Sequence, residues 1–398
     1  MTDTTQVVVV GGGYAGVISA NRLTTDPDFQ VTLINPRPSF VERIRLHQRT
    51  VGTHEAVLDF AEVLAPTVRL TVDAVTRIDA GARTLELASG GRVLYDYLVY
   101  AVGSHSAPAT VPGVREHAFP LSTLEEATAL NAALDTAGPA APVVVVGGGA
   151  TGLETASELA EHGRPVSLVT ATELGPYLHP SARRQVHKQL DRLGVSVLDG
   201  VAVTAVGPGS VHLADGRELP ATVTVWTAGF GVPDLAARSG LSTDEVGRLL
   251  TDETLTSVDD ERIVAAGDAA APSGAPYRMC CAAALPLGVH AADTVLCRAA
   301  GRAPAPFSVP VTGQCLSLGR RSGVLQLARR DDTAIAAHVG GRLGAWFKKT
   351  ITAGNVASLR MTARLPGLLG VVTTVQDPRR ARLLADQSRA AAGTARAD

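Results

Sequence analysis

The 398-residue chain is poor in aromatic side chains and has no excess of positive charge: two Trp, six Tyr and seven Phe, with 36 Lys and Arg against 38 Asp and Glu. A dedicated nucleic-acid binder needs a basic face and usually stacking aromatics, so that class is excluded. Cysteine is scarce as well. Cys280, Cys281, Cys297 and Cys315 lack the CxxC spacing of zinc and thioredoxin-like sites and are too few for a secreted disulfide framework. A reducing cytoplasm is the expected location. No apolar run reaches the roughly 18 residues of a spanning helix. The first apolar run has no basic residues before it and meets glycine after Val7–Val10, which marks a buried strand rather than a signal peptide. His105 and His117 lie in loops around Pro108 and Pro112 without ligand spacing, so no metal site is expected.

Glycine, by contrast, is placed with a pattern. Val7–Val10 run into Gly11-Gly12-Gly13-Tyr14-Ala15-Gly16, after which Val17, Ile18, Ala20 and Leu23 return at helical spacing. Val143–Val146 run into Gly147-Gly148-Gly149-Ala150-Thr151-Gly152 in the same way. Each copy reads strand, tight turn, helix. The first glycine permits the turn, the second lets a pyrophosphate approach the backbone, and the third allows close helix packing. The helix N-terminus then offers unpaired N–H groups to the phosphates. Two copies imply two dinucleotides, and the simplest chemistry that needs both is electron transfer from a nicotinamide to a flavin.

The expected fold class is α/β, with two Rossmann-like dinucleotide-binding domains carrying small antiparallel meanders and an α+β C-terminal module. Residues 1–115 and 236–300 are assigned to the first dinucleotide-binding domain, 116–235 to the second and 301–398 to the C-terminal module. Alternating segments Arg69–Ile78 and Thr84–Leu87 predict a meander, and a parallel-looking arrangement is expected after the second unit. Asp215-Gly216 predicts a hairpin turn, and Gln314–Leu318 with Gly323–Ala328 a second hairpin. The Ala-rich stretch after Ser388 is expected to fray.

The apolar strand Ile263–Ala266 ends in Gly267-Asp268, and at this point the chain resembles the two-dinucleotide-domain flavoproteins. The resemblance implies that Asp268 binds the ribityl chain of FAD. It extends to Asp96, Leu98, Val99, Ala101 and Gly103, and to Thr227-Ala228-Gly229 after the nicotinamide unit. It implies FAD on the first domain, at Gly11, Gly13, Tyr14, Ala15 and Gly16, with Asn35, Arg43, Val75 and Ala284 as further flavin-side candidates. NAD(P)H falls on the second, at Gly147, Gly149, Thr151, Gly152, Thr170 and Gly229. Asn35 and Thr170 stand where an acidic residue normally holds the ribose. The missing carboxylate at Thr170 and the nearby Arg183 and Arg184 lean towards NADPH, although both arginines also suit a solvated helix face.

Among those flavoproteins, disulfide reductases carry a flavin-facing CxxxxC or CxxC, and neither is present. Sulfide:quinone reductases relay electrons through cysteines that are missing here. The chain is more similar to type II NADH dehydrogenases and their relatives over residues 6 to 300, through Gly-Gly-Gly-Tyr-Ala-Gly, Gly-Ala-Thr-Gly-Leu-Glu and a late motif in which Ala284 and Gly288 match. Ala282 departs from that family's quinone-contacting Gln. The resemblance implies an NAD(P)H oxidoreductase passing electrons through FAD to a small organic acceptor such as a quinone. The same features also suit a biosynthetic oxidoreductase on a quinone-like or unsaturated molecule, a ferredoxin reductase or a flavin-binding redox sensor.

Candidate catalytic residues are His47, Arg45, Glu42 and Glu154. Arg45 suits a reduced flavin's negative charge and His47 proton delivery, if Phe40–His47 forms a helix beside the isoalloxazine. Glu154 matches a Glu that the resemblance puts near nicotinamide and flavin, and is also an ordinary helix-dipole partner. Cys280 and Cys281 are expected as buried, inert thiols, with no thiol facing the flavin. Leu343, Trp346, Phe347 and Ile351, with Lys348 and Lys349 beside them, suit core packing, a homodimer face or contact with the inner face of a membrane.

Overall fold

The computed structural model describes residues 4–107, 110–310 and 313–368, with 380, 382 and 384–386. The stretch after Ser388, and Pro108, lie outside the described residues. A run of four valines can be buried on both faces only inside a sheet, and that is where Thr5–Val10 lies. Its parallel sheet runs Ile263–Ala265, Tyr97–Tyr100, Thr5–Val10, Phe29–Asn35, Arg69–Val72. Val143–Val146 sits at the centre of a second parallel sheet, ordered Ala118–Pro120, Val223–Trp226, Val143–Val146, Val166–Thr170, Ser196–Asp199. Antiparallel three-stranded meanders are attached to each: Val75–Asp79, Thr84–Leu87, Arg92–Leu94, and Val203–Val206, Ser210–Leu213, Glu218–Pro220. The α/β class with two Rossmann-like parallel sheets is therefore observed.

Parallel neighbours need crossover connections, and the longer helices supply several of them. We label these helices α1 (Tyr14–Leu23), α2 (Leu124–Ala137), α3 (Ala150–Glu161), α4 (Pro180–Arg192), α5 (Cys281–Ala299) and α6 (Gly341–Arg364). The expected C-terminal hairpin forms from Gly313–Ser317 and Gly323–Ala328, with Ala334–Gly340 as a third antiparallel strand. Helix α6 then crosses back over the molecule. Its start packs on that sheet at Gly344, where a Cβ would overlap the Gly323 carbonyl. Its end reaches α1, where Asn21 donates to the Thr362 hydroxyl at 3.2 Å.

Three local expectations are corrected. Arg69–Val72 is the edge strand of the first parallel sheet rather than part of the meander, because an edge strand half open to solvent shows the same alternation. The segment after the second sheet is antiparallel, and only Val223–Trp226 joins the parallel sheet. Phe40–His47 is not one helix. Ser39–Val41 is a strand paired with Val57–Asp59, followed by a single turn at Arg43–Arg45 and a short helix, Leu46–Arg49. Burial of Phe40 against the core holds the strand, so the sharing of faces expected for a helix does not apply.

The closest helix contact fixes the first glycine turn. At Gly288 of α5 a Cβ would stand 2.5 Å from the Ile18 side chain and would overlap the Ala15 carbonyl of α1. The Ser19 hydroxyl also donates to the Gly288 carbonyl at 2.7 Å. Gly288→Ala is expected to cost about 1–3 kcal/mol through overpacking. Gly354→Ala, in α6 with open space around it, is expected to be neutral or to stabilise by up to about 1 kcal/mol. Urea denaturation of both variants, with bound flavin measured beside it, checks the contrast.

Candidate active site

Both glycine turns open into one cavity of about 1270 Å³. In the first, Gly11 adopts φ +105°, and Cβ atoms at Gly11 and Gly16 would overlap backbone carbonyls of Ala101 and Gly11. Gly13 behaves differently. It caps α1 without a side-chain hydrogen bond, and the space beside its Cα is empty, which leaves the first-turn N–H groups bare for an anion. Gly147, at φ +122°, Gly152 and the uncapped Gly149 repeat this at α3.

Of the sequence candidates, Gly11, Gly13, Tyr14, Ala15, Asn35 and Ala101 border the cavity from the first unit, with Arg43, Val75 and Gly103. Gly267, Asp268 and Ala284 border it from the later segment, and Gly149, Thr151, Glu154 and His47 complete the set. Gly16, Gly147 and Gly152 shape the turns from behind. Gly229 is outside the lining, as is Thr170, which packs against Gly148.

Several expected contacts prove to be already engaged. Asn35 accepts from the Gly12 N–H at 2.9 Å and donates to the Arg37 carbonyl at 2.8 Å, so its amide closes the turn. Asp268 accepts from the Ser104 hydroxyl at 2.7 Å and lies 3.7 Å from Arg43. Arg183 pairs with Glu173 and donates to the Leu178 carbonyl at 3.2 Å, while Arg184 is exposed, so a free arginine pair for a 2′-phosphate is not observed. Glu42 and Arg45 bind each other at 3.0 Å and lie outside the lining of the cavity, both bordering a separate pocket under α6 and Arg45 also a second one beside the turn Gly319–Ser322.

One wall is a buried acid–base cluster. Glu154 leaves the first turns of α3 and receives Lys348 Nζ from α6 at 2.8 Å and the Ser317 backbone N–H at 2.8 Å. His47 Nδ1 lies 3.8 Å from its second oxygen, and His47 Nε2 lies 3.4 Å from the Ser317 hydroxyl. Burial acts to raise the Glu154 pKa, but Lys348, His47 and the Ser317 N–H outweigh it and hold the carboxyl below its ordinary value. Burial pulls His47 the other way, down to about 4, despite Glu154, with Lys348 adding to the lowering. Burial likewise disfavours the Lys348 ammonium, yet Glu154 keeps it charged and above its ordinary pKa. The cluster at neutral pH is thus carboxylate, ammonium and neutral imidazole.

These features have parallels in known proteins. Residues 5–291 match the pyridine nucleotide-disulphide oxidoreductase family. The chain belongs to that family. An NADH dehydrogenase-like protein of Mycobacterium tuberculosis is 34% identical over 296 residues, spanning 67% of this chain and 73% of that protein. A type II NADH:quinone oxidoreductase of Staphylococcus haemolyticus is 27% identical over 394 residues, 88% of this chain and 94% of that one. In fold, the chain matches the sulfide:quinone oxidoreductase of Aquifex aeolicus with a TM-score of 0.78 and 20% identity, covering 94% and 96% of the two chains. It matches the NDH2 of Plasmodium falciparum, solved in complex with NADH, at 0.77 and 15%, covering 92% and 98%.

As a family member, the chain is an FAD-dependent oxidoreductase that uses a reduced nicotinamide dinucleotide. The cavity fits a flavin dinucleotide on independent grounds. Tyr14 borders it and its buried hydroxyl has no hydrogen-bond partner among the described residues, and the uncapped α1 N-terminus points into it. Among the described residues no group of three or more His, Cys, Asp or Glu could hold a metal. No described helix is long and apolar enough to cross a membrane.

Two parts of this site escaped the sequence. Lys348 looks like one more cation beside an apolar stripe, and only the path of α6 turns it inward. Cys280, Cys281 and Cys315 border the cavity, against the expectation that no thiol faces it. All are free, and burial pushes Cys280 up to about 11, Cys315 up to about 12 and Cys281 upward too, so they are protonated at neutral pH.

The state of His47 has a measurable consequence. The unfolded chain takes up this proton near pH 6.5 and the folded one only near 4, so stability falls as pH drops through that window. Between about pH 7 and about pH 5, above the range in which Glu154 titrates, His47 alone is expected to remove about 2 kcal/mol. Urea unfolding at the two pH values should show a loss in wild type that exceeds the loss in His47→Gln by about 2 kcal/mol, the buried His290 and the partly buried His54 contributing equally to both.

Proposed function

We propose that the protein is an NAD(P)H:quinone-type oxidoreductase whose acceptor is reduced beside the Lys348–Glu154–His47 cluster. The single observation that carries this is the convergence of two dinucleotide turns and one buried acid–base cluster on the same cavity. FAD, held by Gly11–Gly16 with Arg43, Ser104 and Asp268, would supply the redox chemistry by accepting two electrons from NAD(P)H and passing them on. Overall, NAD(P)H, one proton and a quinone give NAD(P)⁺ and a hydroquinone, so the acceptor takes two electrons and two protons. Lys348 and Glu154 are suited to hold that proton traffic, and Ser317 links them to His47. The segments 1–115 and 236–300 serve as the FAD unit, 116–235 as the NAD(P)H unit and 301–398 as the acceptor-side module. Tolerance of a 2′-phosphate would rest on the missing carboxylate at Thr170 alone.

On α6, Leu343, Trp346 and Ile351 are exposed, Phe347 is half-buried against the Trp346 ring, and Lys348 turns inward. That exposed stripe is the surface a membrane or a second copy of the chain would meet, and sedimentation with vesicles and mass in solution separate the two. A second functional reading, electron relay through Cys281 and Cys315, is favoured only by their position on the wall.

The test is anaerobic reduction of the flavin by NADH or NADPH followed by reoxidation with menadione. Lys348→Met is expected to slow reoxidation by about a hundredfold and to change flavin reduction by less than about threefold, a split read by stopped-flow bleaching and return of the yellow band. Loss of both half-reactions in a folded, FAD-loaded variant would count against the assignment. Cys280→Ser, Cys281→Ser and Cys315→Ser together are expected to leave both within a few-fold; loss of reoxidation there would favour the thiol relay.

A further inference from the structure

Outside the flavin cavity, between the turn Gly319–Ser322 and the first half of α6, lies a second pocket of about 560 Å³. Arg320 and Arg321 enter it from the turn, and Arg342 and Lys349 from α6. All four are exposed, and no carboxylate among the described residues forms an ion pair with any of them. Glu161 accepts from the backbone N–H of Arg320, at 2.5 Å, rather than from its guanidinium. Arg45, at the inner end, is already paired with Glu42. Trp346 is more than half exposed and stands between Arg342 and Lys349 at i, i+4, i+7 spacing, so the three share one helix face.

The position of this pocket gives the cluster its meaning. Its inner wall includes Lys348 and Thr352, and the same two residues border the flavin cavity. Four exposed cations around a concavity make a positive potential that favours an anion, and the nearby Glu158 and Glu161 carboxylates act on Arg320 alone of the four. Guanidinium forks match carboxylate, sulfonate and phosphate oxygens, and an indole face accepts a planar ring. Scattered surface charge would not be expected to surround an aromatic plane against the back of a redox site.

We infer that this pocket is the vestibule of the electron acceptor, and that the acceptor is a quinone-like aromatic molecule bearing an acid group. The inference rests on the quinone-type reading above and narrows it. The acid group is held by Arg320, Arg321, Arg342 and Lys349 and takes no part in the chemistry. The ring carbonyls take the two electrons and one proton of NAD(P)H, with a second proton from water, and become hydroxyls.

The FAD-loaded protein with saturating NADH tests this using two acceptors, naphthoquinone sulfonate and menadione. The kcat/KM for the sulfonate is expected to exceed that for menadione at about 20 mM salt and to fall by about tenfold at about 200 mM, where screening is stronger. The menadione value should barely move. Arg320→Glu with Arg321→Glu should lower the sulfonate value by at least about tenfold and menadione by less than about threefold. Arg342→Glu with Lys349→Glu should repeat the effect from the other wall, and flavin content with thermal melting shows that each variant is folded. Equal responses of the two acceptors, or no salt dependence, would overturn the vestibule.

Calorimetric titration of the oxidised holoenzyme with naphthoquinone sulfonate separates this failure from that of the parent reading. Binding abolished by charge reversal, without turnover of either quinone, keeps the vestibule and sinks the quinone-type reaction; no binding sinks the vestibule. Charge reversal that abolishes binding to phosphatidylglycerol vesicles but leaves the sulfonate untouched makes the patch a bilayer contact and also overturns it.

Discussion

A carboxylate buried at the start of a helix must be neutralised by groups from elsewhere in the chain, and Glu154 imposes that demand here. Lys348 comes from α6, the Ser317 N–H from the C-terminal sheet, and His47 from the short helix after the second strand of the first unit. Four segments distant in sequence therefore meet at one charge. Removing one partner of such a buried pair typically costs several kcal/mol, because the other is left uncompensated. The C-terminal sheet and α6 are accordingly tied to α3 and to the short helix Leu46–Arg49 by electrostatics as well as by packing.

Around that charge, the cavity is shaped by places where side chains are missing. Gly11 and Gly147 turn the chain with positive φ, Gly16 and Gly152 bring each helix against its own turn, and Gly13 and Gly149 leave the helix ends bare. The same economy sets α5 against α1 at Gly288 and α6 against the C-terminal sheet at Gly344. Backbone approaches this close leave little play, so the α1 N-terminus and the Glu154 cluster are held in fixed relation across the cavity.

The parts of this arrangement written in local sequence were legible. A strand of valines, a three-glycine turn and a helical return of apolar residues is a chain of local constraints, and both copies fold accordingly. Hairpins signalled by Asp215-Gly216 and by the turn after Leu318 also follow from neighbouring residues. The parts set by long-range packing were not. Nothing local distinguishes Lys348, which turns inward, from Lys349, which stays outside; the difference comes from where α6 lies on the sheet. Glu42 and Arg45 carried a suitable chemistry at a plausible spacing, but with a strand in place of a helix both fall outside the flavin cavity, and Arg45 lies at the inner end of the vestibule instead. Asn35 was located correctly on the cavity, yet its amide is consumed by Gly12 and Arg37.

Helix α6 connects these levels. Its outer face presents Arg342, Trp346 and Lys349 to solvent, its inner face sends Lys348 to Glu154, and its last turns hydrogen-bond to Asn21 on α1, the helix whose N-terminus faces the cavity. The Asn21 amide also donates to the Val63 carbonyl and accepts from the Ala65 N–H, so this end of α6 is anchored in the core of the first unit. A ligand charge in the vestibule would therefore act on a helix pinned at both ends. Its effect would be felt through the field at Lys348, one residue from Lys349, more than through movement of the helix. An anion there would stabilise the ammonium of Lys348 while disfavouring the Glu154 carboxylate, since opposite charges attract and like charges repel through a medium of low polarisability. The vestibule and the acid–base cluster are in this sense one electrostatic unit, joined at Lys348, which borders both the vestibule and the flavin cavity.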